Sequence, residues 1–112
     1  MTMMQATSFT VAGVAVDTRH YIGGSRVGSA LTFSNSSPID GAALGEIARG
    51  GPREVDAAVA AARAAFPGWA AAPAAERSAV LHRIADLVEQ NIELLAMVET
   101  LDNGGLLRSN LR

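Results

Sequence analysis

From Val55 to Phe66 the sequence reads Val-Asp-Ala-Ala-Val-Ala-Ala-Ala-Arg-Ala-Ala-Phe, a helix-forming run made largely of alanine. Val55, Val59, Ala62 and Phe66 stand at i, i+4, i+7 and i+11, the spacing of one helix face. Alanine accounts for 22 of the 112 residues, so much of the 49% apolar fraction brings little area to a core. Burial stabilises by roughly 25 cal/mol per Å² of apolar surface, and a methyl group offers few of them. With one Trp, one Tyr and three Phe, the chain has few large side chains to compensate. Its length is that of one domain or part of one, domains commonly running to about 100–150 residues. Such helices need either very close approach to one another or a surface that covers them.

The rest of residues 52–103 continues the helical pattern. Gly51-Pro52 puts proline at the first helical position, where its missing N–H costs nothing. Pro67-Gly68 is expected to stop this first helix, leaving Trp69 in the connection and packed over the joint. Pro73 precedes a second helix starting near Ala74, with Val80, Leu81, Ile84, Leu87 and Val88 as its apolar stripe. Asn91 is expected to cap a third segment from Ile92 to about Asp102, with Leu95, Val98 and Leu101 inward. Asn103-Gly104-Gly105 ends it, glycine being the usual residue just past a helix.

Residues 20–50 read differently, as strands and turns. His20-Tyr21-Ile22 and Ser25-Arg26-Val27 flank Gly23-Gly24, a tight hairpin signal. Leu31 to Ser36 reads as a further strand. Pro38-Ile39-Asp40-Gly41 is a turn, since proline fixes φ and Asp-Gly tolerates positive φ. Ala43 to Ala48 then pairs back. The expected fold class is α/β: small β-hairpins over 20–50, followed by two to three α-helices over 52–103. Residues 1–19 read as a poorly ordered extension, and 105–112 as a truncated tail.

Composition excludes several functions. The net charge is −2 and every basic residue is arginine. Nucleic-acid binding would call for a basic face with interleaved aromatics, which is missing. With no cysteine there is no disulfide, no thiolate metal site and no thiol nucleophile. Residues 1–18 carry no Lys or Arg and only a short, interrupted apolar run, so no secretory leader is read. No stretch approaches the ~20 apolar residues of a membrane span. The expected location is the cytoplasm.

Few residues suggest chemistry on their own. His82 lies between Leu81 and Arg83 with Asp86 four residues on, a surface histidine rather than a ligand. His20 opens a strand and has no second ligand at a metal-binding spacing. The three glycine pairs match neither a Walker loop nor a dinucleotide-binding fingerprint. Gly50-Gly51 stands at a helix N-terminus, which can bind anions, but a plain helix start explains it. Glu89 and Glu93 share a solvated face. Glu99 and Asp102 are less ordinary, because the helix dipole prefers cations at a C-terminus. Glu76-Arg77 opens the second helix, and Arg77 is read as a structural anchor to another element.

The strings Val55–Trp69, Pro73–Arg77, Leu81–Glu89 and Glu99–Gly104 together resemble the opening helices of the aldehyde dehydrogenase superfamily. Tyr21-Ile22-Gly23-Gly24 and Pro38-Ile39-Asp40-Gly41 resemble its opening hairpins. The matches are in order and cover about residues 20–104. The resemblance implies an α/β oxidoreductase using NAD or NADP, of which this is the N-terminal part of the cofactor-binding domain. The family's cysteine nucleophile, glutamate, oxyanion asparagine and cofactor-contacting lysine all belong to downstream motifs. None maps onto this chain, so no cofactor is expected on it alone.

One implied feature does map. Some members hold a monovalent cation near the acidic segment, where Asp102 matches the side-chain ligand and backbone carbonyls near Asn35 and Ser36 match the others. This chain has Ser37-Pro38 where the family has Asn-Pro. It also continues Gly105-Leu106-Leu107 where the family has Lys-Pro-Leu, with Leu106, Leu107 and Leu111 lacking an obvious core. Two functional readings follow. The chain is an N-terminal fragment of an NAD(P)-dependent aldehyde dehydrogenase, inactive alone and covered by the remainder of the enzyme. The alternative is a free-standing helical interaction module that binds a full-length relative or another protein.

Overall fold

The computed structural model describes residues 8–111. Three two-stranded antiparallel sheets come first, and helices follow. The strands are β1 (Ser8–Val11), β2 (Val14–Asp17), β3 (His20–Ile22), β4 (Ser25–Val27), β5 (Thr32–Ser36) and β6 (Ala43–Ala48). The helices are α1 (Pro52–Ala71), α2 (Ala74–Gln90), α3 (Ile92–Asn103) and the short α4 (Leu107–Asn110). The α/β class and the order of hairpins and helices are those expected from the sequence.

Each hairpin has its own turn chemistry. Gly23 and Gly24 between β3 and β4 both have positive φ, as a two-residue type I′ turn requires. Ala12 and Gly13 between β1 and β2 do the same, with φ of 51° and 78°. This first hairpin falls where the sequence reading had a poorly ordered extension. Alanine rarely adopts positive φ, so Ala-Gly gives no hairpin signal, yet β1 and β2 pair from Ser8↔Asp17 to Val11↔Val14. The remainder of that extension, residues 1–7, lies outside the described residues. Between β5 and β6, Gly41 at φ 74° closes a turn in which the Gly41 N–H donates to the Ser37 carbonyl and the Ser37 N–H to the Ala42 carbonyl, both at 2.8 Å.

Hydrogen bonds rather than a core join the strand pairs. The Ala48 N–H donates to the Thr18 carbonyl at 3.1 Å, tying the β2–β3 link to β6. At the same corner Asp17 accepts from the Arg19 backbone N–H and from its guanidinium at 2.7 and 3.0 Å. These bonds, the Arg19 side chain's foremost, hold the Asp17 carboxyl far below the usual carboxylate range. Arg26 approaches the same carboxylate at 4.0 Å and lies over the Tyr21 ring. Across β5 and β6, Ser34 and Thr32 both donate to the Glu46 carboxylate.

The helices correct three sequence expectations. Pro67 does not end α1, which runs on to Ala71 with proline inside it. The loss is the single helix bond to the Arg63 carbonyl. The stop comes at Ala72, held extended at ψ 140° because it precedes Pro73. Trp69 therefore lies within α1 and is 47% exposed instead of packing over a joint. Asn91 does not cap α3 with its side chain, since its Nδ2 donates back to the Leu87 carbonyl at 2.8 Å and closes α2. Arg77 is the anchor expected, donating to the Ala70 carbonyl in the last turn of α1. The segment read as a truncated tail contains α4, docked by Asn110 Nδ2 on Thr100 Oγ1 at 2.9 Å.

Very little is buried. Among the described residues only Val11 and Ala96 are buried apolar side chains, and α1 and α2 bury none. The radius of gyration is 17.1 Å, against roughly 13 Å for a compact chain of this length. The stripe from Val80 to Val88 is a helix face as expected, but its residues remain 42–62% exposed.

The start of α1 depends on one titrating group. Glu54 accepts from the Gly51 N–H at 2.8 Å, and that bond is the main reason its carboxyl sits below the ordinary glutamate value. A carboxyl whose folded pKa is depressed stabilises above its unfolded pKa, about 4.3, and stops doing so as pH falls through the folded value. Helical circular dichroism of the chain is expected to hold from pH 7 to about 5 and to decline below about 4. Glu54→Gln is expected to shrink the decline, and an identical decline in the variant would contradict this role.

Candidate functional site

The end of α3 meets the β5–β6 hairpin, and the meeting point holds most of the unusual polar residues. Asp102 sits in the last turn of α3, and Asn35 near the end of β5. Asn35 Nδ2 donates to Asp102 Oδ1 at 2.6 Å, closing a gap of 67 residues in sequence. The ladder between β5 and β6 carries a bulge at Asn35/Ser36. Bulges re-aim side chains beside sites of this kind. Glycine also shapes the junction. Gly104 ends α3 in the left-handed region at φ 74°, and a Cβ there would lie 2.9 Å from Pro38 Cγ.

The neighbouring side chains are tied to one another. Asn103 Oδ1 accepts from the Gly105 N–H at 2.6 Å, while its Nδ2 reaches Glu99. The acids at the end of α3 are thus met by amides, not by arginines.

Beside this polar end lies a groove of about 1050 Å³, bounded by β1 and β2, β6, α2 and α3. Val11, Val16, Ile47, Ile84, Leu87 and Leu95 supply much of its wall. Asn35, Glu99, Asp102 and Asn110 also line it. No part of it holds a nucleophile, and the chain has neither cysteine nor lysine.

The sequence-derived candidates are placed as follows. Asp102 and Asn35 are brought together, but through the Asn35 side chain, where the resemblance pointed to its carbonyl. Ser36 pairs with Ala43 in the ladder. Asp102 is exposed, and among the described residues only its Oδ1 accepts a side-chain hydrogen bond, from Asn35. Among the described residues no three His, Cys, Asp or Glu gather as a metal cluster. His82 and Asp86 are both exposed. Among the described residues the buried His20 Nε2 meets no hydrogen-bond partner, and the ring packs beside Gly50. The groove and the Asn110–Thr100 bond were not anticipated, because both depend on residues far apart in sequence or on a helix in the tail. For a dinucleotide the residues do not fit: the sequence has no glycine-rich fingerprint and no lysine, and the described residues form no parallel sheet.

Residues 27–112 match the profile of the aldehyde dehydrogenase family. Acetaldehyde dehydrogenase of Pseudomonas aeruginosa is 43% identical over 94 residues, which are 82% of this chain and 19% of that protein. The 5-carboxymethyl-2-hydroxymuconate semialdehyde dehydrogenase of Escherichia coli is 40% identical over 85 residues, 76% of this chain and 18% of its own length. The crystal structure of an NAD-dependent benzaldehyde dehydrogenase from Corynebacterium glutamicum superposes with a TM-score of 0.82 at 36% identity, covering 91% of this chain and 22% of that one. The fold thus matches a segment of a solved aldehyde dehydrogenase. The chain belongs to the aldehyde dehydrogenase family, and it spans about a fifth of the length of the relatives it matches. That coverage fits the N-terminal fragment reading, and the free-standing module gains no support from it.

The junction of α3 with β5–β6 makes a specific demand on Gly104. Gly104→Ala is expected to cost roughly 1–2 kcal/mol from its left-handed backbone alone, with the Pro38 contact adding to it. Hydrogen exchange should show faster exchange at the Gly104 amide, which donates to the Thr100 carbonyl, while amides of α1 keep their protection. Unchanged exchange at Gly104 would contradict the role given to this residue.

Proposed function

We propose that the chain is the N-terminal segment of an NAD(P)-dependent aldehyde dehydrogenase that oxidises an aldehyde to a carboxylic acid in the cytoplasm. Its part is to form the outer layer of the cofactor-binding domain. The observation that carries the reading is the pairing of a family match with a segment that buries only Val11 and Ala96 among its described apolar residues. A surface so short of internal packing belongs against a larger body. The catalytic cysteine and the cofactor-binding lysine would come from that body, since this chain has neither. The Corynebacterium glutamicum relative is NAD-dependent, which supports the same cofactor class here. Among the described residues no helix is long and apolar enough to cross a membrane, which agrees with this placement.

The test is a chimera. Replacing the aligned segment of the Pseudomonas aeruginosa enzyme with this chain is expected to retain acetaldehyde-dependent NAD(P)H formation, while the 112-residue chain alone gives none. A soluble, folded chimera without activity would contradict the reading, as would turnover by the pure isolated chain.

For Asp102 we propose the monovalent-cation role within the assembled enzyme, on the strength of its uncommitted carboxylate oxygen beside β5. In the chimera, potassium or sodium at fixed ionic strength is expected to raise the melting temperature relative to choline. Asp102→Asn should abolish the difference, and a difference that survives that substitution would remove Asp102 from the site.

A further inference from the structure

Each asparagine of the chain is followed by a different residue: Asn35 by Ser36, Asn91 by Ile92, Asn103 by Gly104 and Asn110 by Leu111. Only at Asn103 is the next peptide nitrogen that of a glycine, unhindered by a side chain and on a backbone free to turn. We infer that Asn103-Gly104 is a deamidation site, kept closed by the end of α3 and released when α3 comes away from the β5–β6 hairpin. The modification is a property of this chain's own covalent structure and is independent of the activity proposed above.

In the reaction the Gly104 backbone nitrogen bonds to Asn103 Cγ while the Cγ–Nδ2 bond breaks. Nδ2 leaves as ammonia, taking the proton from the Gly104 nitrogen. Water then opens the cyclic imide. Attack at Cγ gives aspartate at position 103, and attack at the main-chain carbonyl gives isoaspartate, in which the chain continues through the side-chain carbon. Nothing is oxidised or reduced, and water is the sole co-reactant.

The structure holds each reacting atom off that path. The attacking nitrogen is engaged, because the Gly104 N–H donates to the Thr100 carbonyl at 2.9 Å. Asn103 is the last residue of α3, and ring closure needs it out of the helical backbone conformation. Its side chain is tied as well, with Oδ1 accepting from the Gly105 N–H at 2.6 Å and Nδ2 donating to Glu99 Oε1 at 3.4 Å. The lock is shallow all the same. Asn103 and Glu99 are exposed, helix ends open at little cost, and the Asn35–Asp102 bond ties this turn to the strands. Once formed, the products keep the turn open. A carboxylate at 103 stands beside Asp102 at a helix C-terminus, where the dipole favours cations, and it repels Glu99 instead of donating to it. Isoaspartate also adds a carbon to the main chain, which draws the Gly104 N–H away from the Thr100 carbonyl.

The experiment incubates the 112-residue chain in mildly alkaline buffer beside a synthetic peptide of residues 98–107, too short to hold a helix by itself. Trypsin then releases residues 84–108 of the chain, which carry Asn91 as an internal control for Asn103. Mass spectrometry follows the exchange of NH2 for OH, and an isoaspartyl methyltransferase reads the isoaspartate. Modification is expected at Asn103 ahead of every other asparagine, at least fivefold slower in the chain than in the peptide. Asn35→Ala should raise the rate in the chain at least threefold with helical circular dichroism unchanged. Asp102→Ala removes the same bond from the other side and should do likewise. Asn103→Gln should abolish the signal, since the larger ring closes far more slowly. Equal rates in chain and peptide would overturn the inference, as would modification falling first on another asparagine. So would a chain that stays unmodified after the peptide has reacted, or folded Asn35→Ala and Asp102→Ala variants that react no faster than the parent. If one variant loses its helix, the other variant and the comparison of chain with peptide still decide.

Discussion

A helix face built from alanine and a stripe of leucine, isoleucine and valine has to be covered by something, and nearly everything else about this chain follows from how little of that cover it supplies itself. Val11 and Ala96 are the buried apolar side chains among the described residues, and neither is large. The three strand pairs are two-stranded ribbons, a form that is marginal in water without a packed face. They are held by backbone bonds such as Ala48 to Thr18 and by short polar links around Asp17 and Glu46. Hydrogen bonds at exposed positions contribute modestly, because water competes for both partners. The architecture is specified in detail and weakly fastened.

The same constraint explains where polar residues are placed. Gly104, Pro38, Asn35 and Asp102 bring the end of α3 onto the β5–β6 hairpin, the clearest tertiary contact between the two halves. Because that contact is made of a turn, a bulge and an amide–carboxylate bond, it sets direction more than it adds stability. It orients α3 relative to the strands and so holds open the groove between them. Packing in the assembled enzyme would then act on a surface already in place.

Much of this was legible in the residues. The stripes on α1, α2 and α3 follow a 3.6-residue period, and Gly23-Gly24 and Pro38–Gly41 are turn signals with a mechanism. What could not be read has identifiable causes. Pro67 suggested a stop, but a single lost bond to Arg63 does not outweigh the good helix formers around it, and Pro73 sets the end through Ala72. Asn91 suited the start of α3, yet the Leu87 carbonyl was within its reach. The β1–β2 hairpin turns on an alanine at φ 51°, which no propensity argument would choose. Asp102 and Asn35 were paired only through a family resemblance, which pointed to a carbonyl where the structure uses a side chain. Long-range geometry of that kind leaves no periodic trace.

The chain presents an apolar surface it cannot bury alone. The most direct measurement is thermal unfolding of the purified 112-residue chain, followed by circular dichroism, with light scattering on the same sample. A broad, weakly cooperative loss of helix, or association at rising concentration, is expected. A concentration-independent monomer with a sharp transition above about 65 °C, beyond the range of ordinary mesophile domains, would contradict it.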